Sequence, residues 1–115
     1  SAMFIGQNQI ENIFIIVDRN RQSVTDHMLE EDEVASLEQK FGGCGIKTIT
    51  VNGHDFSELL EALSKDYKGP VVVIADTVKG KGVSFMESGI KWHHSVPVQE
   101  QYEIALKELE ESLNE

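Results

Sequence analysis

Two short stretches of this chain carry polar side chains at the ends of apolar runs. Residues 13–20 (IFIIVDRN) end in an acidic, a basic and an amide residue, and residues 70–82 (PVVVIADTVKGKG) end in two lysines interleaved with glycines. Each run predicts a buried strand, and ligands bind at the carboxyl ends of strands in open α/β sheets. The side chains of Asn20, Lys79 and, further along the chain, His93 are therefore candidate ligand-binding groups.

The segment that begins at Lys79 favours an anionic ligand. From residue 79 to residue 94 three lysines oppose one glutamate, a local balance of +2 to which two histidines add. The glycines in this segment complete neither a Walker sequence nor G-x-G-x-x-G, so they do not predict a nucleotide site. Taken alone, Lys81 is typical of an exposed loop and Asn20 of a turn at a strand end.

The elements that must position these residues alternate between strand and helix. Residues 46–51 alternate as in a strand, and the continuous apolar run 71–75 predicts a strand buried on both faces. A helix is expected after the acidic residues 30–33, and another over residues 97–113. The resulting order, β-α-β-α-β-loop-α, predicts an α/β fold with a small three-layer parallel sheet. Three strands are few for such a sheet, so an edge strand is expected to pair with a neighbour.

The helix before the third strand has the most specific pattern. Asp55 followed by Glu58 resembles a capping box, which predicts the start of the helix. The apolar residues of this segment are expected to form one stripe along the helix, and they are Phe56, Leu59, Leu60, Leu63 and Tyr67.

Composition and charge exclude several classes of function. The chain has 115 residues, enough for one modest domain, and no apolar stretch near the roughly 20 residues that span a bilayer. Residues 1–3 resemble a cloning remnant, which leaves 4–115 as a single domain, and we expect a cytoplasmic location without membrane contact. The net charge of -10 opposes nucleic-acid binding. Cys44 is the single cysteine, so no internal disulfide can form, and we expect it to pack.

The order and spacing of several motifs resemble the transketolases, which use thiamine diphosphate and a divalent metal. The matching segments cover nearly the whole chain, from about residue 12 to residue 109, and they are residues 17–24 (VDRNRQSV), 50–56 (TVNGHDF), 75–82 (ADTVKGKG) and the pair Trp92-His93. The resemblance implies a partial thiamine-diphosphate-binding fold, the second half of the family's diphosphate-binding, amino-terminal domain.

The resemblance also implies a role for each candidate residue. The amide of Asn20 and the backbone carbonyl of Gln22 would ligate Mg²⁺, with Ca²⁺ as an alternative, and such hard oxygen ligands suit that metal. Val24 would lie against the thiazolium ring, and Lys79 would reach the cofactor phosphates. His93 would donate to the diphosphate and border the substrate hydroxyl, as the catalytic residue of this chain.

Two positions depart from the family pattern, and two of the family's parts are expected to lie outside the chain. His94 and Asp26 both stand where the family commonly has glycine. The Gly-Asp-Gly segment that gives the first metal ligand, and the second domain with the activating glutamate, are expected on other polypeptide. Cofactor and metal would then be incompletely coordinated by this chain.

Two functional hypotheses follow. The chain is a fragment or split subunit of a transketolase, inactive alone, that transfers two-carbon ketol units between sugar phosphates once complementary segments or a complementary subunit complete it. Alternatively, it is a non-catalytic α/β interaction module that forms homo-oligomers through unpaired sheet edges. An unrelated flavodoxin-like anion binder is a third interpretation.

Overall fold

Three parallel strands form the centre of the fold. The structure is a computed structural model that describes residues 1–20, 31–87 and 90–113, without the side chains of residues 31–36, 90 and 93. The strands are β1 (Phe14–Arg19), β2 (Lys47–Asn52) and β3 (Val71–Asp76). Strand β3 lies in the middle, in the order β1-β3-β2, and pairs in parallel with both neighbours. The predicted α/β fold with a small parallel sheet is confirmed.

The helices precede, connect and follow these strands. They are α1 (Ala2–Gln7), α2 (Glu31–Gly43), α3 (Phe56–Ser64), α4 (Ser84–Glu87), a 3-10 helix (Ile90–His93) and α5 (Gln99–Ser112). Sequence analysis did not predict α1. Among the described residues, none of these helices is both long and apolar enough to cross a membrane.

The described chain divides into two compact units. Residues 1–20 and 31–77 belong to the first unit, and residues 78–87 and 90–113 belong to the second. The first unit therefore contains the whole sheet with α1, α2 and α3. The assignment of residues 1–3 to a remnant and of 4–115 to a single domain stays a prediction.

Strand β3 is central because both of its faces are apolar. Val71, Val73 and Ala75 pack with residues of β2 and α3 on one face of the sheet. Val72 and Ile74 pack on the other face with residues of α1 and α2. All five side chains are buried, which confirms the prediction for this run and gives the sheet its three layers.

Helix α1 and Cys44 close the second of these faces. Ala2 and Ile5 of α1 pack against the core there, and so does Cys44, as predicted. Gly6 allows this close approach, because a Cβ at its position would overlap the carbonyl oxygen of Cys44.

Helix α3 begins at the predicted residue but with different bonds. Asp55 Oδ1 accepts from the backbone N–H groups of Ser57 and Glu58, at 2.8 and 3.2 Å. A capping box also predicts that the Glu58 carboxylate accepts from the backbone N–H of Asp55. This part of the prediction is wrong, because the carboxylate accepts from the backbone N–H of Asn52 instead, at 2.7 Å. Glu58 therefore ties the helix to the end of β2.

The predicted stripe of α3 divides into two parts. Leu59 packs on the sheet, and Tyr67 also packs there although it lies beyond the end of the helix at Ser64. Phe56, Leu60 and Leu63 are exposed instead, by 80%, 63% and 37%. The sheet therefore covers only part of the predicted apolar set, because the apolar arc of the helix is wider than the face that the sheet covers.

The second unit is organised around α4. Ser84 donates to the Glu108 carboxylate of α5 through its backbone N–H at 2.7 Å and its hydroxyl at 2.6 Å. These two bonds lower the pKa of Glu108. The ring of Phe85 in α4 lies 5.0 Å from that of Trp92 in the 3-10 helix.

Candidate functional site

The carboxyl ends of all three strands lie in one row. Arg19 of β1 and Asn52 of β2 are both in register with Asp76 of β3. The row continues past the strands, since the backbone N–H of Thr77 donates to the carbonyl oxygen of Arg19 at 3.2 Å. Strands β1 and β3 therefore end side by side.

A buried arginine links the two strand ends on one face of the sheet. The Arg19 side chain is 5% exposed, and its Nε lies 2.6 Å from Oδ1 of Asp76. Nη2 donates to the second oxygen of Asp76 at 2.7 Å, which makes the pair bidentate. Nη1 donates to Oε1 of Glu38 in α2 at 2.8 Å, and the Thr50 hydroxyl of β2 donates to the same oxygen at 3.0 Å. The arginine thereby joins β1, β3 and α2.

The charges in this network stabilise one another. The hydrogen bonds that Arg19 donates to Asp76 and Glu38 outweigh burial and raise the pKa of Arg19 well above its ordinary value. Burial alone would raise the pKa of Glu38, but hydrogen bonds from its own backbone, from Arg19 and from Thr50 lower it overall. The arginine thus offsets part of the negative charge of these two carboxylates, which reduces the repulsion that an anionic ligand would meet at the carboxyl ends of the strands.

The other face of the strand ends carries a smaller contact. The Thr77 hydroxyl donates to the carboxylate of Asp18. Gly53, in the turn after β2, donates its backbone N–H to the carbonyl oxygen of Asp76 at 2.7 Å. A Cβ at Gly53 would lie 2.5 Å from the Thr77 methyl carbon and 2.9 Å from that carbonyl oxygen, so the turn approaches β3 as closely as it can.

The predicted site residues fall into different parts of the structure. Asn20 follows β1 directly and is half-buried, in the first unit. Lys79 is half-buried in the turn after β3, and His93 ends the 3-10 helix; both belong to the second unit. Gln22 and Val24 lie outside the described residues, as does the His93 side chain. The roles of these five residues and their meeting at one site stay predictions.

The two departures from the family pattern are partly located. His94 is exposed, next to the 3-10 helix, and Asp26 lies outside the described residues.

The ion pairs of Arg19 were not predicted from the sequence. A signal was available, because Arg19 lies near the end of the first apolar run and Asp76 directly follows the apolar run 71–75. Opposite charges at matching ends of paired strands are expected to meet.

Comparison with known proteins gives a consistent result. No protein-family model matches the chain. The chain is 36% identical over 98% of its length to one of the subunits of apulose-4-phosphate transketolase from Phocaeicola vulgatus, and it covers 41% of that subunit. It is 31% identical over 78% of its length to mouse transketolase, of which it covers 14%. The homologues of this chain are transketolases.

The same relationship appears in the fold. The structure of a transketolase from Campylobacter jejuni superposes with a TM-score of 0.76 over 94% of this chain, at 24% identity, and the match covers 17% of that transketolase. The resemblance read from the motifs is therefore confirmed. The chain spans about two fifths of the length of the transketolase subunits that it matches, 41% in each of two apulose-4-phosphate transketolases.

Proposed function

We propose that the chain supplies part of the thiamine diphosphate and metal site of a transketolase that another polypeptide completes. The observation that carries the proposal is the row of strand ends in a chain homologous to transketolases. Asn20 follows Arg19 directly, and Arg19 is in register with Asp76. The amide of Asn20 therefore leaves the sheet at the edge where ligands of α/β folds bind.

The donor groups of this chain fit such a cofactor in part. An amide oxygen at Asn20 and a backbone carbonyl at Gln22 are hard ligands of the kind that Mg²⁺ or Ca²⁺ takes. Within the described residues no three His, Cys, Asp or Glu side chains form a metal-binding group. The carboxylates at this edge already have partners, since Asp76 binds Arg19 and Asp18 binds Thr77. As the resemblance to transketolases implies, the first metal ligand would come from a Gly-Asp-Gly segment on another polypeptide.

The other residues would act by positioning and charge. Val24 would support the thiazolium ring, Lys79 would offset phosphate charge, and His93 would donate a hydrogen bond to the diphosphate and border the substrate. Bound thiamine diphosphate supplies the carbon nucleophile with which transketolases take a two-carbon unit from a ketose. The substrates of the completed enzyme would be sugar phosphates, in line with the two relatives that belong to apulose-4-phosphate transketolases.

A calorimetric titration with thiamine diphosphate and Mg²⁺ tests the proposal. Asn20→Ala is expected to weaken binding by about tenfold or more, because a metal ligand is lost. Asn52→Ala is the matched control, since Asn52 ends β2 at the same edge and its side chain accepts a local bond from the His54 backbone, at 3.0 Å. Equal affinities for the wild type and both variants would refute the assignment of Asn20.

Activity is tested by adding the missing polypeptide. The chain would be mixed with a transketolase subunit from which the matching segment has been deleted, together with the other subunit of that enzyme. Ketol transfer is expected in the mixture and not with the chain alone. A complex that forms but never transfers a ketol unit would rule out the split-subunit function.

A second candidate function is a non-catalytic module that self-associates. The observation that favours it is that β1 and β2 are both edges of the described sheet, each with one hydrogen-bonded neighbour. Absence of any heat at millimolar cofactor, together with a dimer in sedimentation velocity, would favour this function over the first.

A further inference from the structure

An apolar surface over β1 is left uncovered in this chain. On the face of the sheet that α3 covers, Val71 and Val73 of β3 are each 1% exposed. Their register partners in β1 are Phe14 and Ile16, which are 42% and 60% exposed. The apolar residues of this row are therefore buried on β3, where α3 covers them, and exposed on the neighbouring strand β1.

Helix α3 carries further exposed apolar residues beside this surface of β1. Each residue of a helix advances by about 100°, so Phe56, Leu60 and Leu63 lie roughly 90° to one side of the sheet-facing residues. The charged residues of α3 lie roughly 90° to the other side. These charged residues line a cavity of about 420 Å³ together with residues of β2, so their side of α3 is the side that faces β2. Because β1 is the opposite edge of the sheet, the three apolar residues lie on the side of α3 that is nearer to β1.

We call the combined apolar surface the β1 groove. Its floor is formed by Phe14 and Ile16 of β1, and its side wall is formed by Phe56, Leu60 and Leu63 of α3. With side chains of about 200 Å² each, the exposed fractions amount to roughly 550 Å² of apolar surface. Patches of this size mark interaction sites on soluble proteins. The spacing of the wall, at i, i+4 and i+7, is that of a helix surface into which a second helix packs.

We infer that the β1 groove receives an amphipathic helix from the polypeptide that completes a transketolase subunit, an inference that rests on the function proposed above. Helices pack 8 to 10 Å apart, about the width of two strands, so a helix beside α3 would lie over β1 and its outer edge. The two apulose-4-phosphate transketolase relatives provide enough chain, since the match leaves more than half of their length outside it.

A second copy of this chain is a poorer occupant. Each copy carries a net charge of -10, so two copies repel one another. The uncovered surface is also a floor with a wall, which is complementary to a convex helix rather than to a second concave groove.

The test uses the chain with the matching apulose-4-phosphate transketolase subunit of Phocaeicola vulgatus, from which the segment equivalent to this chain has been deleted. Affinity is measured by calorimetry, and assembly by sedimentation velocity. Leu60→Glu and Ile16→Glu place a charge in the groove and are expected to weaken the affinity about tenfold or more. Ser57→Glu is the matched control, because it adds the same charge on the exposed outer side of α3. It is expected to change the affinity by less than about twofold.

The outcomes separate this inference from the proposed function. Wild-type affinity in both groove variants, with circular dichroism showing that they fold, would overturn the docking site. So would a failure of the two polypeptides to associate, or a dimer of the chain alone that Leu60→Glu dissolves. The cofactor assignment has its own measurement, because Asn20→Ala is expected to weaken cofactor binding by about tenfold or more while the two polypeptides still associate.

Discussion

Replacing Arg19 by methionine tests the link between β1 and β3. The methionine keeps most of the apolar stem but removes the guanidinium that binds Asp76 and Glu38. Three hydrogen bonds shorter than 3 Å disappear, at 2.6, 2.7 and 2.8 Å. Two carboxylates next to each other at the sheet edge then lose their shared cation.

The expected loss of stability follows from the burial of the partners. Removing one member of a fully buried ion pair costs about 3 to 5 kcal/mol. The side chains of Asp76 and Glu38 are 31% and 33% exposed, so water recovers part of their solvation. We therefore expect R19M to lower the free energy of unfolding by about 2 kcal/mol. R19K is expected to fall between R19M and the wild type, because lysine keeps the charge but not the bidentate geometry.

Urea unfolding followed by circular dichroism measures the loss. K65M is the matched control, since Lys65 pairs with Glu61 at 2.6 Å but the two side chains are 57% and 69% exposed. An exposed pair contributes about 0.5 kcal/mol or less. If R19M and K65M lower the urea midpoint equally, the arginine does not hold the strand ends together. A double-mutant cycle with D76N should give a coupling energy above about 1 kcal/mol.

Four further changes test local parts of the first unit. Gly53→Ala should lower stability by about 1 to 3 kcal/mol in urea unfolding, because its Cβ would lie 2.9 Å from a backbone oxygen of β3. Gly42→Ala, at a helical position where nothing lies within 4 Å of the new Cβ, should raise stability by about 0.5 to 1 kcal/mol. A Gly42→Ala variant less stable than Gly53→Ala would contradict the geometry. Asp55→Ala should cost about 1 kcal/mol by removing two cap bonds to α3, whereas an unchanged midpoint would mean that the cap contributes nothing. The pKa of Glu38 is lowered in the fold from its ordinary 4.5, so its stabilising effect is complete above that pH and is lost as the pH falls through the lowered value. The stability difference between wild type and E38Q should therefore shrink as the pH falls below 4.5, and a constant difference would refute the assignment.

Local sequence patterns predicted the strands of the sheet better than they predicted the side-chain contacts at the carboxyl ends of those strands. The apolar run 71–75 could be recognised as a central strand because burial on both faces leaves no room for polar residues. Asp55 could be recognised as a cap because its bonds reach only two and three residues along the chain. The Arg19 and Asp76 pair is 57 residues apart, and its geometry depends on a register that no local pattern specifies.

The division of the α3 stripe has a different cause. The spacing of Phe56, Leu60 and Leu63 correctly gave an apolar surface, but a sequence does not state how much of that surface its own sheet covers. Three strands cover one side of the helix, and the rest is exposed. An apolar position on a helix therefore predicts burial only when the whole set of packing partners is on the same chain.

The β1 groove and the proposed cofactor site share one strand. Phe14 and Ile16 form the floor of the groove, and Asn20 follows the carboxyl end of the same strand. A helix docked on β1 would restrict the strand that leads to the metal ligand, so the two binding events should be coupled. By linkage, the factor by which cofactor tightens docking must equal the factor by which docking tightens cofactor binding. Docking affinities measured with and without thiamine diphosphate and Mg²⁺, at a concentration that just saturates the wild type, should differ by about fivefold or more, and the difference should be smaller in Asn20→Ala. Identical affinities in the wild type would show that β1 does not connect the two sites.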